Sequence, residues 1–368
     1  MGIAALQSDL RERPRFYAAM GVVLALTIAA RLIGGLRTVS VIGVLLLGGM
    51  AGWGILPWSV RSLAAATYSD IVRRPLYYIV LLALAAMVFL SQYITLFSFY
   101  QEMNLVREMG MATITFFGFL LIVLLCGPIV TSELEDRTAV TLLSKPISRA
   151  SFLLGKFFGL MGAVLPGVVV LAGVLFLTLW LMAMPTVLGN DAFFAALGKA
   201  HAGEGAIPVM RHAWSAQGGN SSAVWGEFRG TLEVIWRYFV LANGGVVFQG
   251  ALLAIFQIAI LAAFGISFAA FFPIVVSASA TALLFILGNI SSYMLAAVQR
   301  WEVGVLTAAG KVLYYLIPNL GYFNLQTFYS EGRIISARYL GYAATYALLY
   351  TVAVFVVSCS VFQRREIR

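Results

Sequence analysis

Apolar residues run together along this chain instead of alternating with polar ones. Eight stretches, at residues 17–34, 39–57, 76–99, 110–131, 152–183, 238–270, 274–298 and 339–362, hold almost no charge. A helix needs about 20 apolar residues to cross a hydrocarbon core of about 30 Å, and it satisfies its own backbone hydrogen bonds there. Each stretch therefore predicts a membrane-spanning helix, and the chain reads as an all-α integral membrane protein with about eight spans. Arg11, Arg13 and Arg15 ahead of the first stretch imitate a cleaved leader. Another span follows directly, however, so the segment reads as a retained anchor. The second stretch carries Gly43, Gly48, Gly49, Gly52 and Gly54, small residues that let helices approach closely.

Three features interrupt the spans. Over residues 60–74, Val60, Leu63, Ala64, Thr67 and Ile71 share one helical face, while Arg61, Asp70, Arg73 and Arg74 fall largely elsewhere. Pro75 ends the run, so an amphipathic helix lying at the membrane surface is expected there. A charged loop follows at 132–150, and a polar, Gly-rich segment at 184–237.

Composition excludes a soluble globular protein: 61% of residues are hydrophobic and 11% charged, with mean hydropathy +0.94. Soluble domains are roughly 45–50% apolar and about 25% charged. The formal charge of +9 comes from 24 Lys and Arg against 15 Asp and Glu. In a membrane protein such an excess belongs to cytoplasmic loops, so nucleic acid is not expected as a partner. With the N-terminus cytoplasmic, the inside segments hold Arg11, Arg13, Arg15, Arg61, Arg73, Arg74, Arg137, Lys145, Arg149, Lys156, Arg364, Arg365 and Arg368. An even number of spans returns the C-terminus to the same side, in the cytoplasmic (inner) membrane.

Other chemistry is sparse. Cys126 and Cys359 lie in apolar segments and suggest neither a disulfide framework nor a zinc site. His201 and His212, with Met182, Met184 and Met210, are residue types that suit copper, yet no spacing picks out a ligand set, and no metal is expected. Arg31 lies near a span end and can snorkel, Glu233 and Arg237 form an i,i+4 pair where a span begins, and Glu102, Arg107 and Glu108 are placed in an external turn. No row of acidic residues or histidines crosses the membrane, which points to an external energy source. Paired carboxylates of the kind an intramembrane enzyme needs are also missing from the spans.

The loop at 132–150 carries the most information. It contains Glu133, Glu135, Arg137 and Thr138, then Leu142, Leu143, Ser144 and Pro146, then Ser148 and Arg149, with Lys156 just beyond. Ser132 and Glu135 have capping-box spacing, and Glu133 with Arg137 is an i,i+4 pair in the better orientation. A short helix is expected to start at Ser132, outside the membrane, and to end before Pro146. Two readings stand for it: a solvated connector, or a helix offered to a cytoplasmic partner.

This set of residues, placed between two spans after an amphipathic elbow, resembles the signature of ABC-2 type transporter permeases. These are the membrane subunits of type V ABC systems, including the permeases of nitrous-oxide-reductase maturation and gliding-motility systems. Phe271-Phe272-Pro273 resembles the family's tight cytoplasmic turn, and Leu316 to Asn324 its Pro-containing stretch before the last helix. The resemblance implies an elbow at 59–75 and a six-helix permease domain at 76–368, and leaves 1–58 as an N-terminal extension with two expected spans. The extra spans and the length of the 184–237 insert depart from the family pattern.

By the same resemblance Glu133, Glu135, Arg137, Thr138, Leu142, Leu143, Pro146, Arg149 and Lys156 couple the chain to a cytoplasmic ATP-binding subunit. ATP and Mg would belong to that partner, and none to this chain. A second permease chain, identical or not, would complete the pathway within the membrane lipids, and export is the expected direction. The chain has no G-x-x-x-x-G-K-[ST] phosphate loop, since Gly155-Lys156, Gly198-Lys199 and Gly310-Lys311 lack the other required residues. It is therefore not expected to be an enzyme. The alternatives are a self-contained secondary transporter or channel, and behind these an intramembrane lipid-modifying enzyme. Charge reversal at Glu133 and Glu135 is expected to abolish transport and to lower stimulated ATPase activity in a folded permease; unchanged coupling would remove this loop from the mechanism.

Overall fold

The structure, a computed structural model, describes residues 57–94, 102–135, 148–188, 244–298, 317–324 and 335–364. The expected spans at 17–34 and 39–57 lie outside these residues, as do the middle of the 132–150 loop and almost all of the 184–237 insert. The chain divides into two compact units, Met1–Ser62 and Leu63–Arg368. Of the first, the described residues are 57–62, Pro57 and the opening turn of a helix.

All regular structure among the described residues is helical: α1 Trp58–Arg73, α2 Pro75–Ile94, α3 Glu102–Glu135, α4 Arg149–Leu188, α5 Gly245–Phe271, α6 Ile274–Val298, a short 3-10 turn Leu320–Phe323, and α7 Ala337–Arg364. Six of these, α2 to α7, are long and apolar enough to cross a membrane. They coincide with the six later spans expected from sequence.

The first helix is amphipathic as expected. Val60, Ala64, Thr67 and Ile71 are buried, and Asp70 and Arg73 are exposed. Arg74 donates to Asp70 across one turn at 2.9 Å. From Leu63 onward α1 rests on the first turns of α4, where side chains are absent. A Cβ on Gly155 would meet Leu63, and one on Gly159 would lie 2.7 Å from the Ala64 carbonyl oxygen. Tyr77 of α2 donates from its hydroxyl to the Ala163 carbonyl of α4 at 3.0 Å. That carbonyl is next to Gly162, whose usual helix donor is missing because Pro166 has no N–H.

At the centre stands α5. Its apolar span is 67% buried, against 22% for α2, 22% for α6 and 17% for α7. Ile258 of α5 fills the space above Gly118 of α3, while Ile122 and Cys126 of α3 fill that above Gly265 of α5. The two helices thus exchange side chains into each other's glycine sites. Polar links join α5 to its neighbours at three depths. The Gln249 amide donates to the Ile335 carbonyl at 3.1 Å and accepts from the Ile335 N–H at 2.7 Å. Gln257 donates to Asn289 of α6 at 3.2 Å, and Ser358 of α7 bonds Ser267 at 2.7 Å.

Two sequence expectations are corrected. Glu102, Arg107 and Glu108 do not form a turn between helices; they are the opening turns of α3, where Arg107 donates to Asn104 at 3.1 Å. Hydropathy underestimates α3 because a helix continues into polar residues that bond locally. Ser132 does not begin a new helix either, since α3 runs through it to Glu135. A Ser followed three residues later by Glu carries the same spacing inside a helix as at its start.

The stretch at 317–324 is tucked against the bundle. Leu320 and the Pro318 carbonyl close over Gly288 of α6. The Asn319 N–H donates to the Tyr346 hydroxyl at 2.9 Å, and the Tyr339 hydroxyl donates to the Tyr322 carbonyl at 2.6 Å. Gly288 lies fourteen residues into α6, about 21 Å at 1.5 Å per residue, so this Pro-containing stretch reaches well along α6.

The glycine sites on α4 differ in how much room they leave, which sets an expected contrast. Gly159→Ala should destabilise the chain by about 1–3 kcal/mol, because both the Thr67 Cβ at 2.5 Å and the Ala64 carbonyl oxygen at 2.7 Å of α1 stand where the new methyl would be. Gly173 has nothing within 4 Å, and Gly173→Ala should leave stability unchanged or raise it. Thermal unfolding of both variants in detergent checks the contrast.

Candidate functional site

The candidate site lies where α3, α5 and α7 finish and α4 and α6 begin. The α5–α6 connection is very short: Phe272 is extended, with φ −123° and ψ 154°, and its N–H closes α5 on the Phe268 carbonyl. Pro273 then starts α6, with its carbonyl accepting from the Ser277 N–H at 2.9 Å. Beside it Thr131 of α3 donates to the Ala269 carbonyl of α5 at 3.1 Å, and a Cβ on Gly127 would meet Ile274 of α6. The ends of α3, α5 and α6 are therefore fixed to one another.

From this platform α3 extends its last turn, which carries Glu133 and Glu135. The last turn holds no basic residue. Arg137, Thr138, Leu142, Leu143 and Pro146 lie outside the described residues.

On the far side of the loop Ser148 starts α4. Its hydroxyl accepts from the Ser151 N–H at 3.1 Å and its carbonyl from the Phe152 N–H at 3.1 Å. Ser148 is thus the N-cap of α4, a role the sequence reading missed. The signal was present in Ser148 and Ser151, three residues apart just after Pro146. Arg149 is the first residue of α4. Lys156, grouped with the loop on sequence, is two turns inside α4 and only 2% exposed, with its ammonium 5.6 Å from the centre of the Phe152 ring. It belongs to the interior of the bundle. Among the described residues no cluster of His, Cys, Asp and Glu could hold a metal ion; His201 and His212 lie outside them.

Residues 71–209 match the model of the family described as ABC-2 family transporter protein. This stretch is similar to ABC-2 family transporters. It runs from the end of α1 through α2, α3 and α4, and so contains the whole loop at 132–150. The match covers 139 of the 368 residues (71 to 209 inclusive) and supports an ABC-2 type permease. None of the curated proteins compared with the chain matches it. With six helices among the described residues long and apolar enough to cross a membrane, and with this similarity, the chain is a multi-pass membrane protein.

Loss of the Ser148 cap is expected to fray the start of α4. Ser148→Ala should destabilise that turn by about 1 kcal/mol, read as faster amide hydrogen exchange over residues 149–152. Ser148→Asp keeps an acceptor at the cap and should restore protection.

Proposed function

We propose that this chain is the membrane-spanning permease subunit of an ATP-driven ABC transporter, working as an exporter and driven by a separate ATP-binding subunit. The match of residues 71–209 to ABC-2 family transporters carries this reading. The specific resemblance to the permeases of nitrous-oxide-reductase maturation and gliding-motility systems rests on the residues of the 132–150 loop.

The loop is the proposed docking element. It leaves the bundle from α3 and returns at the capped start of α4. Glu133 and Glu135 are acidic residues that a cytoplasmic subunit could meet with basic side chains. ATP and Mg then act in the partner, and this chain supplies the pathway together with a second permease chain. The distribution of Lys and Arg supports a cytoplasmic position for both termini.

The test is a pull-down of the membrane-extracted chain from its own cells, with residues 132–145 native or scrambled. An ATP-binding subunit should accompany the native chain and be lost with the scrambled one. If no ATPase accompanies either form while both elute as folded protein, the permease reading fails.

A further inference from the structure

At the end of the bundle away from the loop, the stretch 317–324 lies as a strap between α6 and α7, and its two sides are held differently. On the α6 side the fully buried Leu320 and the Pro318 carbonyl close directly over Gly288, which presents no side chain. On the α7 side hydroxyls hold the strap's backbone. The Asn319 N–H donates to Tyr346 at 2.9 Å, and the Tyr322 carbonyl accepts from Tyr339 at 2.6 Å. The rings of Tyr322 and Tyr346 meet edge-on, with centres 5.8 Å apart. The start of α7 is secured separately, because Gln249 of α5 pairs with both backbone groups of Ile335.

Depth makes this asymmetry matter. Tyr346 stands nine residues into α7, about 14 Å at 1.5 Å per residue, so the inner of the two bonds lies within the apolar span. Backbone that is not helical persists at such a depth only where protein or water satisfies it, and here two tyrosine hydroxyls do so. If the strap moves off α7, the Asn319 N–H and the Tyr322 carbonyl keep partners only when water follows. The outer bond is already within reach of water, since Tyr322 is 50% exposed, whereas the inner one is partly buried. Parting from the rim inward therefore exchanges one hydroxyl at a time for water, and no step leaves a backbone group bare. Parting Leu320 from Gly288 offers no such exchange; it only exposes apolar surface. The α7 side is the one that yields.

We infer that residues 317–324 are a latch: the strap travels with the later turns of α6, and Tyr339 and Tyr346 hold it shut against α7, whose start stays pinned to α5. This deepens the permease reading, on which a pathway driven from the loop has to open at the opposite end. The opening is a cleft between α6 and α7 that water enters as the two hydroxyls release.

Labelling with a membrane-impermeant maleimide tests it on the full chain in nanodiscs. Cys126→Ala and Cys359→Ala remove the native thiols, and Leu320→Cys is the reporter, fully buried and so reactive only when the latch opens. Tyr339→Phe combined with Tyr346→Phe should speed labelling about tenfold, the change expected for the loss of two hydrogen bonds within a membrane. Tyr342→Phe, at an exposed position of the same helix, should leave the rate as it is. A second reporter, Leu171→Cys in the interior of α4, should stay equally unreactive in every background. Where Leu320→Cys does not fold, Phe323→Cys, 2% exposed, carries the same measurement. Equal rates with and without the two hydroxyls would overturn the latch. So would a faster rate at both reporters, which is a general loosening of the bundle. No ATPase enters the measurement, so a failed pull-down leaves the latch standing, and equal labelling rates leave the permease reading standing.

Discussion

Helices in lipid gain nothing from hiding apolar surface from one another, because the lipid is as apolar as they are; they associate by fit and by polar contacts. Here the fit is made around α5. It has little polar surface and no charged residue, and Gly118 and Gly265 let it and α3 take each other's side chains. Gln249, Gln257 and Ser267 then fix Ile335, Asn289 and Ser358 at separate depths. Such bonds in hydrocarbon are worth only about 1–2 kcal/mol at most, but they set register, which apolar contacts alone leave loose. With α5 buried by its neighbours, α2, α6 and α7 turn most of their surface outward.

Much of this was legible in the sequence, for a physical reason. A span must be apolar along its length wherever it sits, so hydropathy locates it without knowledge of its neighbours. The one-sided pattern of α1 was legible too, because Val60, Ala64, Thr67 and Ile71, a row at helical spacing, are buried while Asp70 and Arg73 are exposed. Helix ends were less so. At Glu102 and Ser132 the chain leaves the apolar zone while the helix continues, and composition marks only the first event. Spacing alone does not separate the Ser148 cap from Ser132, which also has a polar residue three positions on but whose backbone is already helical.

The interhelical contacts could not have been read at all. Gln249 grips the backbone of Ile335, 86 residues away, and Asn319 receives the Tyr346 hydroxyl as acceptor for its N–H. Neither residue differs in local sequence from an amide that faces a neighbouring lipid headgroup. For the candidate site the division is similar. The residue types of the loop were visible, whereas the buried place of Lys156 follows from tertiary packing.

The connections at the two ends of the loop imply how a load on it would spread. At the α4 end, Gly155 and Gly159 hold α1 so closely that backbone meets side chain, and Tyr77 ties α2 to the same helix. At the α3 end, Thr131 ties α3 to α5, and Ser267 ties α5 to α7. A displacement of the loop is thus applied between two groups, α1, α2 and α4 on one side and α3, α5 and α7 on the other. Deeper in the membrane these groups interlock again, where Phe117 of α3 covers Gly167 of α4 and Leu175 of α4 covers Gly110 of α3. Pro128 in α3 and Pro166 in α4 lie between the two levels, each removing one backbone bond. Bending is easiest at such points, but near the loop the two groups also meet where Phe157 of α4 packs on Phe355 of α7, so a load on the loop reaches both groups together.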